Sequence, residues 1–338
     1  MKPPFITIVI PTLNEQDYII GTLVELSASA EGFEHEIIVA DGGSTDDTRR
    51  LVRDYAERHA QPIRLIDNPA RLQAAAVNLA AREADPRATI LLRADAHCAY
   101  PPGFVSVTVT ALLTMEAQSV VVPMIATEDK GAGTYQEAVA LAQNSRLGNG
   151  GSSHRDGRAG SAFVDHGHHA AFDIGFFREL GGYDESFITN EDAEYDARVI
   201  AAGGRIWMIR AGEIQYFPRS SPGKLARQYF GYGRGRCATI IKHRMQPKPR
   251  QMAPLAIFLV MALSLLSLPL CVFSLATVLG YVGLTLVYAL GISGSRTSRS
   301  ATAFKTCSAL MIMHNAWGAG FMAGLVGHFA IRKGVSGT

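Results

Sequence analysis

Three acidic stations stand where apolar runs should end as strands. Asp41 closes Ile37-Ile38-Val39-Ala40 and precedes Gly42-Gly43-Ser44. Asp95 closes Ile90-Leu91-Leu92-Arg93-Ala94 and precedes Ala96-His97. The pair Glu191-Asp192 follows Thr189-Asn190. A carboxylate at the C-terminal end of a strand points into the crevice where open α/β sheets take ligands. Two such groups can hold a nucleotide and its metal while a third accepts a proton, which suits group transfer from an activated nucleotide.

Each station also has a plainer reading. Asp41 can accept an N–H from the edge of a pyrimidine, with Gly42 and Gly43 letting the backbone approach a flat ligand; a turn Asp that caps the next helix has the same pattern. Asp95 and His97 form an Asp-x-His unit able to place two ligands on Mg2+ or Mn2+, the ion then neutralising a diphosphate leaving group. The alternative is a solvated Asp beside a surface His. Asp192 is the candidate general base: Gly181-Gly182-Tyr183-Asp184-Glu185 and Thr189-Asn190 set it at a helix start, where the dipole favours the ionised form. An acidic helix cap is the competing role. Glu191 is placed to fix the loop or touch the acceptor. No second carboxylate stands as a nucleophile, which favours single displacement with inversion. Asn14 and Glu15 can contact the nucleotide or cap a helix, and Arg71 can reach a phosphate. His166, His168 and His169 suggest a metal cluster but lack a matching partner, and can equally line an acceptor site.

The elements that must carry these groups follow from hydrophobic pattern. Residues 5–10, 36–40, 63–66, 89–93 and 120–125 read as strands, and 205–209 as another. Between them lie a helix striped by Ile19, Leu23 and Leu26, one N-capped by Ser44 and Thr45 and carrying Leu51, Val52 and Tyr55, and an alanine-rich helix over 72–84. A further helix should run from Glu191 to Gly203-Gly204. Residues 148–160, rich in Gly, Ser and basic residues, predict a mobile loop. Strands alternating with helices predict an α/β fold with a mostly parallel, Rossmann-like sheet.

Charge divides the 338-residue chain unevenly. All 30 acidic residues lie at or before Glu213, whereas residues 254–295 carry no charge at all. About 20 apolar residues cross a bilayer once, so this stretch predicts two spans, 254–273 and 275–292. A third uncharged stretch, 307–330, is either a span or a re-entrant or interfacial segment. Residues 6–10 are too short for a signal peptide and end at Pro11, so the main domain is expected in the cytoplasm. Arg296, Arg299 and Lys305 after the second span agree with that orientation. Nine basic and no acidic residues between Arg219 and Arg250, interleaved with Tyr229, Phe230 and Tyr232, suit an interfacial element on anionic lipids better than a nucleic-acid site. The expected division is therefore a catalytic domain over 1–215, an interfacial segment over 216–252 and a membrane region of two or three helices over 253–338. Gly320 and Gly324 should pack the last segment against its neighbours. The four scattered cysteines give no zinc or disulfide framework.

Together, Ile8-Val9-Ile10-Pro11-Thr12-Leu13-Asn14-Glu15, the Asp41 to Asp46 segment, Ala94-Asp95-Ala96-His97, Gly181-Gly182-Tyr183-Asp184-Glu185 and Asn190-Glu191-Asp192 resemble the family 2 glycosyltransferases of the GT-A fold. That resemblance implies a UDP-sugar donor, Mg2+ or Mn2+, and inversion at the anomeric carbon. It implies donor contacts at Pro11, Asn14, Glu15, Asp41, Arg71, Ala94 and Asp95, with Asp41 on the uracil. It also implies metal at Asp95 and the base at Asp192; the residues themselves add His97 as a second metal ligand and Glu191 and His169 on the acceptor side. Within the family the whole chain resembles glucosyltransferases of succinoglycan synthesis. These imply UDP-glucose, a galactose on undecaprenyl diphosphate as acceptor, and a β-1,3 bond made at a bacterial inner membrane. A nucleotidyltransferase and a non-catalytic nucleotide-sugar scaffold are the rivals. Gly42 stands where the family often has a second acid, and Arg93 where its Asp-x-Asp motif begins. Gln228-Tyr229-Phe230-Gly231-Tyr232 lacks the Arg-Trp of processive synthases, which speaks for one sugar per encounter.

Overall fold

The computed structural model describes residues 3–128, 133–152, 155, 160–267, 272–294 and 299–335, the last five of these by backbone alone. The chain forms two compact units, Met1–Ile125 with Asp156–Tyr216, and Ala126–Arg155 with Phe217–Thr338.

In the first unit, β1 (Phe5–Thr12), α1 (Ile19–Ser29), β2 (Glu34–Asp41), α2 (Thr48–His59), β3 (Ile63–Asp67), α3 (Gln73–Glu83) and β4 (Ala88–Arg93) alternate. A short β5 (Cys98–Ala99), α4 (Phe104–Thr114), β6 (Ser119–Val122) and β7 (Met124–Ala126) follow. The second unit then claims α5 (Thr134–Asn144) and α6 (Arg146–Asn149). The first resumes with β8 (Ala162–Val164), β9 (His168–Asp173), α7 (Ile174–Glu179), α8 (Glu191–Ala201), β10 (Ile206–Met208) and β11 (Ile214–Tyr216). An eight-stranded sheet runs β3-β2-β1-β4-β9-β6-β10-β8, and a small one β5-β11-β7.

β1 and β2 are apolar on both faces because helices cover both sides of a parallel sheet. Ile6, Ile8, Val9, Ile10, Ile37, Ile38 and Val39 are fully buried. Alanines make α3 slim enough to lie close to the sheet: Ala74, Ala76, Val77, Ala80 and Ala81 join Phe172, Phe177, Tyr183 and Tyr195 in one core cluster. Register levels the strand ends, Thr12 opposite Asp41 and Asp41 opposite Asp67. β9 runs antiparallel between β4 and β6, pairing Leu92 with Ala171 and Val121 with His169. That reversal carries its first residues, His168 and His169, to the edge where β4 ends.

Three expectations need correction. The strand expected over 120–125 is two, because Pro123 cannot continue the ladder, and β6 and β7 join different sheets. Ser44 and Thr45 do not cap α2; Asp46 does so, its Oδ1 accepting from the Thr48 amide at 3.1 Å and hydroxyl at 2.6 Å. Of the loop expected over 148–160, residues 153–154 and 156–159 lie outside the described residues, and 146–149 form α6.

The second unit continues with α9 (Pro222–Lys242), α10 (Pro249–Ser267), α11 (Val272–Ile292) and α12 (Arg299–Val335). Among the described residues, three helices are long and apolar enough to cross a membrane, Pro249–Ser267, Val272–Ile292 and Arg299–Ala330. The third is one unbroken helix and does not double back as a re-entrant segment. Glycines let its neighbours approach. A Cβ on Gly233 of α9 would overlap the Trp317 carbonyl, and one on Gly320 would overlap that of Phe230. A Cβ on Gly324 would come within 2.9 Å of Cys237 Cβ, and one on Gly318 within 2.7 Å of the Pro254 carbonyl. Gly320 and Gly324 thus seat the basic helix α9 directly on α12. Val139 and Ala142 of α5 pack with Leu225, Ala309, Leu310 and Met313. His314 joins Tyr281 Oη (3.0 Å) to the Leu147 carbonyl (3.0 Å).

Candidate active site

Asp41 ends β2 and is buried. Its Oδ2 accepts from the amides of Gly43 and Ser44, both at 3.0 Å, and from Arg49 Nη1 at 2.7 Å, while Oδ1 accepts from the Ser44 hydroxyl. Burial alone would raise this carboxyl, but the Ser44 hydroxyl, Arg49 and the two amides outweigh it and hold the pKa below its ordinary value. The turn-forming role read from the pattern is thus present. Asn14 locks the neighbouring loop onto it, its amide donating to Ser44 Oγ (2.8 Å) and its Oδ1 accepting from Thr45 N (2.8 Å). Arg71 lies over the same turn, its Nη2 3.3 Å from where a Gly43 Cβ would be. Pro11, on the last turn of β1, is half-buried beside this edge.

Asp95 follows β4. The Ala94 amide donates to the Val9 carbonyl (2.9 Å), and Tyr100 Oη accepts from the Asp95 amide (2.6 Å), so the loop is pinned at both ends. Its Oδ1 accepts from Gln73 Nε2 (2.7 Å) and Arg93 Nε (3.2 Å); for Oδ2 the nearest partner among the described residues is His168 Nε2 at 3.7 Å. Burial opposes ionisation here, but Arg93, His168 and His97 prevail and bring the pKa to about 2. Arg93 is itself 5 % exposed. Its Nη1 donates to Tyr183 Oη (3.2 Å) and lies 3.9 Å from Glu191 Oε1.

Glu191 and Asp192 open α8 after a turn rather than at a strand end, with Asn190 in the left-handed region at φ 65°. Two anchors fix this helix. Arg198, paired with Glu194, donates to the carbonyls of Leu180 and Gly182, both at 2.6 Å. Asp196, buried, binds His166 Nδ1 (2.8 Å) and His169 Nε2 (2.7 Å). Gly182, at φ 69° and with Asn78 Oδ1 where a Cβ would go, is a glycine of necessity. Asn78 holds Tyr183 at both its amide and its carbonyl (2.8 Å each).

Burial would raise the Asp192 carboxyl, yet His166, His169, Arg93 and the Ala193 amide keep it below its ordinary value, ionised and ready as a base. Glu191 goes the other way, pushed up to about 7 by burial and by Asp192, against the pull of Arg93. This carboxyl ionises near 4.5 when exposed, so its protonated form favours the folded state. That contribution is complete below about pH 4.5 and is lost as pH rises through about 7. Glu191→Gln should therefore flatten the fall of melting temperature across this window, as thermal unfolding of parent and variant would show.

The structure places Asp95 (3.2 Å) and Glu191 (3.9 Å) beside Arg93, with Asp192 next to Glu191 in the chain, and Asp41, Asn14 and Arg71 in one turn assembly. Two expected residues behave differently. His169 is buried with both ring nitrogens engaged, Nδ1 with Tyr183 Oη (2.5 Å) and Nε2 with Asp196, so it braces the site and does not face an acceptor. His97 spends Nδ1 on Glu15 Oε1 (3.0 Å). Asp196, Tyr183, Gln73 and Arg49 were not singled out as site residues. Asp196 had one signal, its place one helical turn beyond Asp192.

Among the described residues no three His, Cys, Asp or Glu side chains gather as a metal cage. Mg2+ and Mn2+ commonly take only one or two carboxylates together with substrate phosphates. Asp95, ionised and with Oδ2 unclaimed by any close donor among the described residues, fits that role.

Comparisons with known proteins identify the family and the fold. The sequence profile of glycosyl transferase family 2 matches residues 7–181. The succinoglycan biosynthesis protein ExoA of Rhizobium meliloti (strain 1021) is 42% identical over 321 residues, 93% of this chain and 93% of its own. A dolichyl N-acetyl-alpha-D-glucosaminyl phosphate 3-beta-D-2,3-diacetamido-2,3-dideoxy-beta-D-glucuronosyltransferase of Methanococcus voltae is 26% identical over 68% of this chain and 72% of its own. The solved mannosyltransferase PcManGT from Pyrobaculum calidifontis, in complex with GDP-Man and Mn2+, has a TM-score of 0.65 at 18% identity, covering 96% of this chain and 88% of that one. That likeness is one of fold, and the fold is GT-A. A profile match over half the chain and a relative alike from end to end converge on the same conclusion: the chain belongs to glycosyl transferase family 2.

Proposed function

We propose that this enzyme transfers glucose from UDP-glucose, with inversion, to a galactose carried on undecaprenyl diphosphate, forming a β-1,3 bond during succinoglycan-type repeat-unit assembly. The observation that carries the catalytic part is the clustering of one ionised metal-competent carboxylate, Asp95, and one ionised base candidate, Asp192, around the Arg93 guanidinium. The sugar and acceptor rest on the 42% likeness to ExoA.

In this reading the Asp41 turn, with Pro11, Asn14, Glu15, Arg71 and Ala94, receives the nucleotide. Asp192 takes the proton of the acceptor hydroxyl as its oxygen bonds to the anomeric carbon. The bond from that carbon to the β-phosphate oxygen breaks, and its electron pair leaves with UDP. Asp95 would hold Mg2+ or Mn2+, which supplies charge neutralisation to the diphosphate. Glu191, near the acceptor side, keeps a shared proton away from Asp192.

The unit of residues 1–125 and 156–216 acts as the catalytic domain in the cytoplasm, residues 126–155 folding with the helical unit rather than within the expected 1–215 block, and 253–338 anchor the enzyme in the bacterial inner membrane. In 216–252, Lys224, Arg227, Arg234 and Lys242 of α9 recur at helical spacing and are exposed. They form a stripe opposite the glycine face that α12 covers, which suits anionic lipid headgroups at about 1 kcal/mol per basic residue.

Protein reconstituted in phospholipid, given UDP-glucose, Mg2+ or Mn2+ and undecaprenyl diphosphate galactose, should release UDP and yield a glucosylated lipid. NMR of the glycan should show the β-1,3 linkage, and EDTA should stop turnover. Release of diphosphate would instead mark a nucleotidyltransferase. UDP-sugar binding with no turnover would mark a scaffold.

A further inference from the structure

An uninterrupted line of buried hydrogen bonds runs behind the site. Asp196 Oδ1 accepts from His169 Nε2 (2.7 Å), and His169 Nδ1 meets Tyr183 Oη (2.5 Å). Tyr183 Oη accepts from Arg93 Nη1 (3.2 Å), and Arg93 Nε donates to Asp95 Oδ1 (3.2 Å), which also takes Gln73 Nε2 (2.7 Å). A carboxylate can only accept and a guanidinium can only donate, so the ends orient the middle. His169 therefore presents an N–H at Nε2 to Asp196, and Tyr183 Oη takes a hydrogen from Arg93.

We propose that Tyr183 and Asp196 are positioning residues for the transfer reaction. Through His169 they hold the Arg93 guanidinium between Asp95 and Glu191, and so keep the donor-side turn and the base-bearing helix at one spacing. This rests on the roles given above to Asp95 and Asp192.

The Tyr183 hydroxyl is not needed for packing. Its ring is already enclosed by Phe177 (5.5 Å between ring centres), Tyr195 (5.5 Å) and Phe172 (6.1 Å). Arg93 is bound by that hydroxyl on one side and Asp95 on the other, with Glu191 at 3.9 Å as the next acceptor. Without the hydroxyl, Arg93 Nη1 loses its 3.2 Å partner and Glu191 Oε1, 3.9 Å away, becomes its next acceptor, which shifts the guanidinium relative to Asp95. Asp196 acts one step further back, by fixing the face of the His169 ring that Tyr183 meets. It also ties α8 to the start of β9 through His166. A displacement of about 1 Å among reacting groups costs on the order of 100-fold in rate.

The test compares Tyr183→Phe, Asp196→Asn, the double variant and Asp192→Asn as reconstituted full-length protein. Tyr183→Phe should lower kcat about 10- to 100-fold, with the donor KM within about twofold of the parent and the UDP-induced rise in melting temperature retained. The double variant should lose no more than the worse single, because both act on one relay. A parental kcat in Tyr183→Phe overturns the proposal, as do losses that multiply in the double variant. Loss of the UDP-induced thermal shift also overturns it, since the defect would then be one of folding. Where Asp196→Asn fails to fold, Tyr183→Phe decides alone. An active Asp192→Asn would instead remove the assignment beneath the relay, and the relay with it.

Discussion

Asp192→Asn should abolish transfer while leaving UDP binding nearly intact. The substitution keeps the shape of the side chain and removes only the ability to take a proton. Loss of a positioned general base costs about 100- to 10,000-fold in rate, and kcat should show it. Calorimetry with UDP should read nearly the parental affinity, because the nucleotide-side residues Asp41, Asn14 and Arg71 belong to a separate turn. Asp192 is chosen over Glu191 on electrostatic grounds. His166, His169 and Arg93 keep Asp192 charged, whereas burial beside another carboxylate holds Glu191 near pKa 7 and half protonated at neutral pH. Transfer at the parental rate by Asp192→Asn would move the base elsewhere.

The second large effect is expected far from the chemistry. Gly233→Ala should destabilise the helical unit by about 2–3 kcal/mol, the upper range for overpacking. The added methyl falls on the backbone carbonyl of Trp317, and no rotamer change relieves a backbone clash. The helices α9 and α12 must separate, and the contacts at Gly320 and Gly324 weaken with them. Gly223→Ala is the control, because nothing lies within 4 Å of its new methyl. It should be neutral or slightly stabilising, as alanine is favoured over glycine in helices. Trp317 lies at the altered contact, so tryptophan fluorescence during thermal unfolding in detergent reads both variants. Equal melting temperatures for the two would refute close α9–α12 packing.

The acidic stations were legible because residue type and place agreed. Asp41 ends an unbroken apolar run and Asp95 one that only Arg93 interrupts, and short runs bounded by turn residues suit buried parallel strands. β9 was not legible. His168-His169-Ala170-Ala171-Phe172 alternates with neither helical nor strand period, because its first two positions serve a polar network and not the core. Asp196 was not singled out, because its burial comes from β9 and the residues just before it, which are distant in sequence. Arg93 stood out as a departure from the family pattern, yet its role needed the hydroxyl of Tyr183 and the carboxylates on either side. α5 could not be assigned by pattern either. Its alanine-rich face suits a sheet or a helix equally, and tertiary contacts place it with Ala309 and Met313 rather than on the sheet.

One consequence follows from the unbroken course of α12. Its 37 residues make a rod about 55 Å long at 1.5 Å per residue. A hydrocarbon layer of about 30 Å, crossed even at a tilt of about 40°, hides only about 40 Å of it. A crossing α12 would therefore leave some ten residues outside the hydrocarbon as a rigid stalk. In a thinner or thicker bilayer a crossing α12 would leave more or fewer of these residues wet.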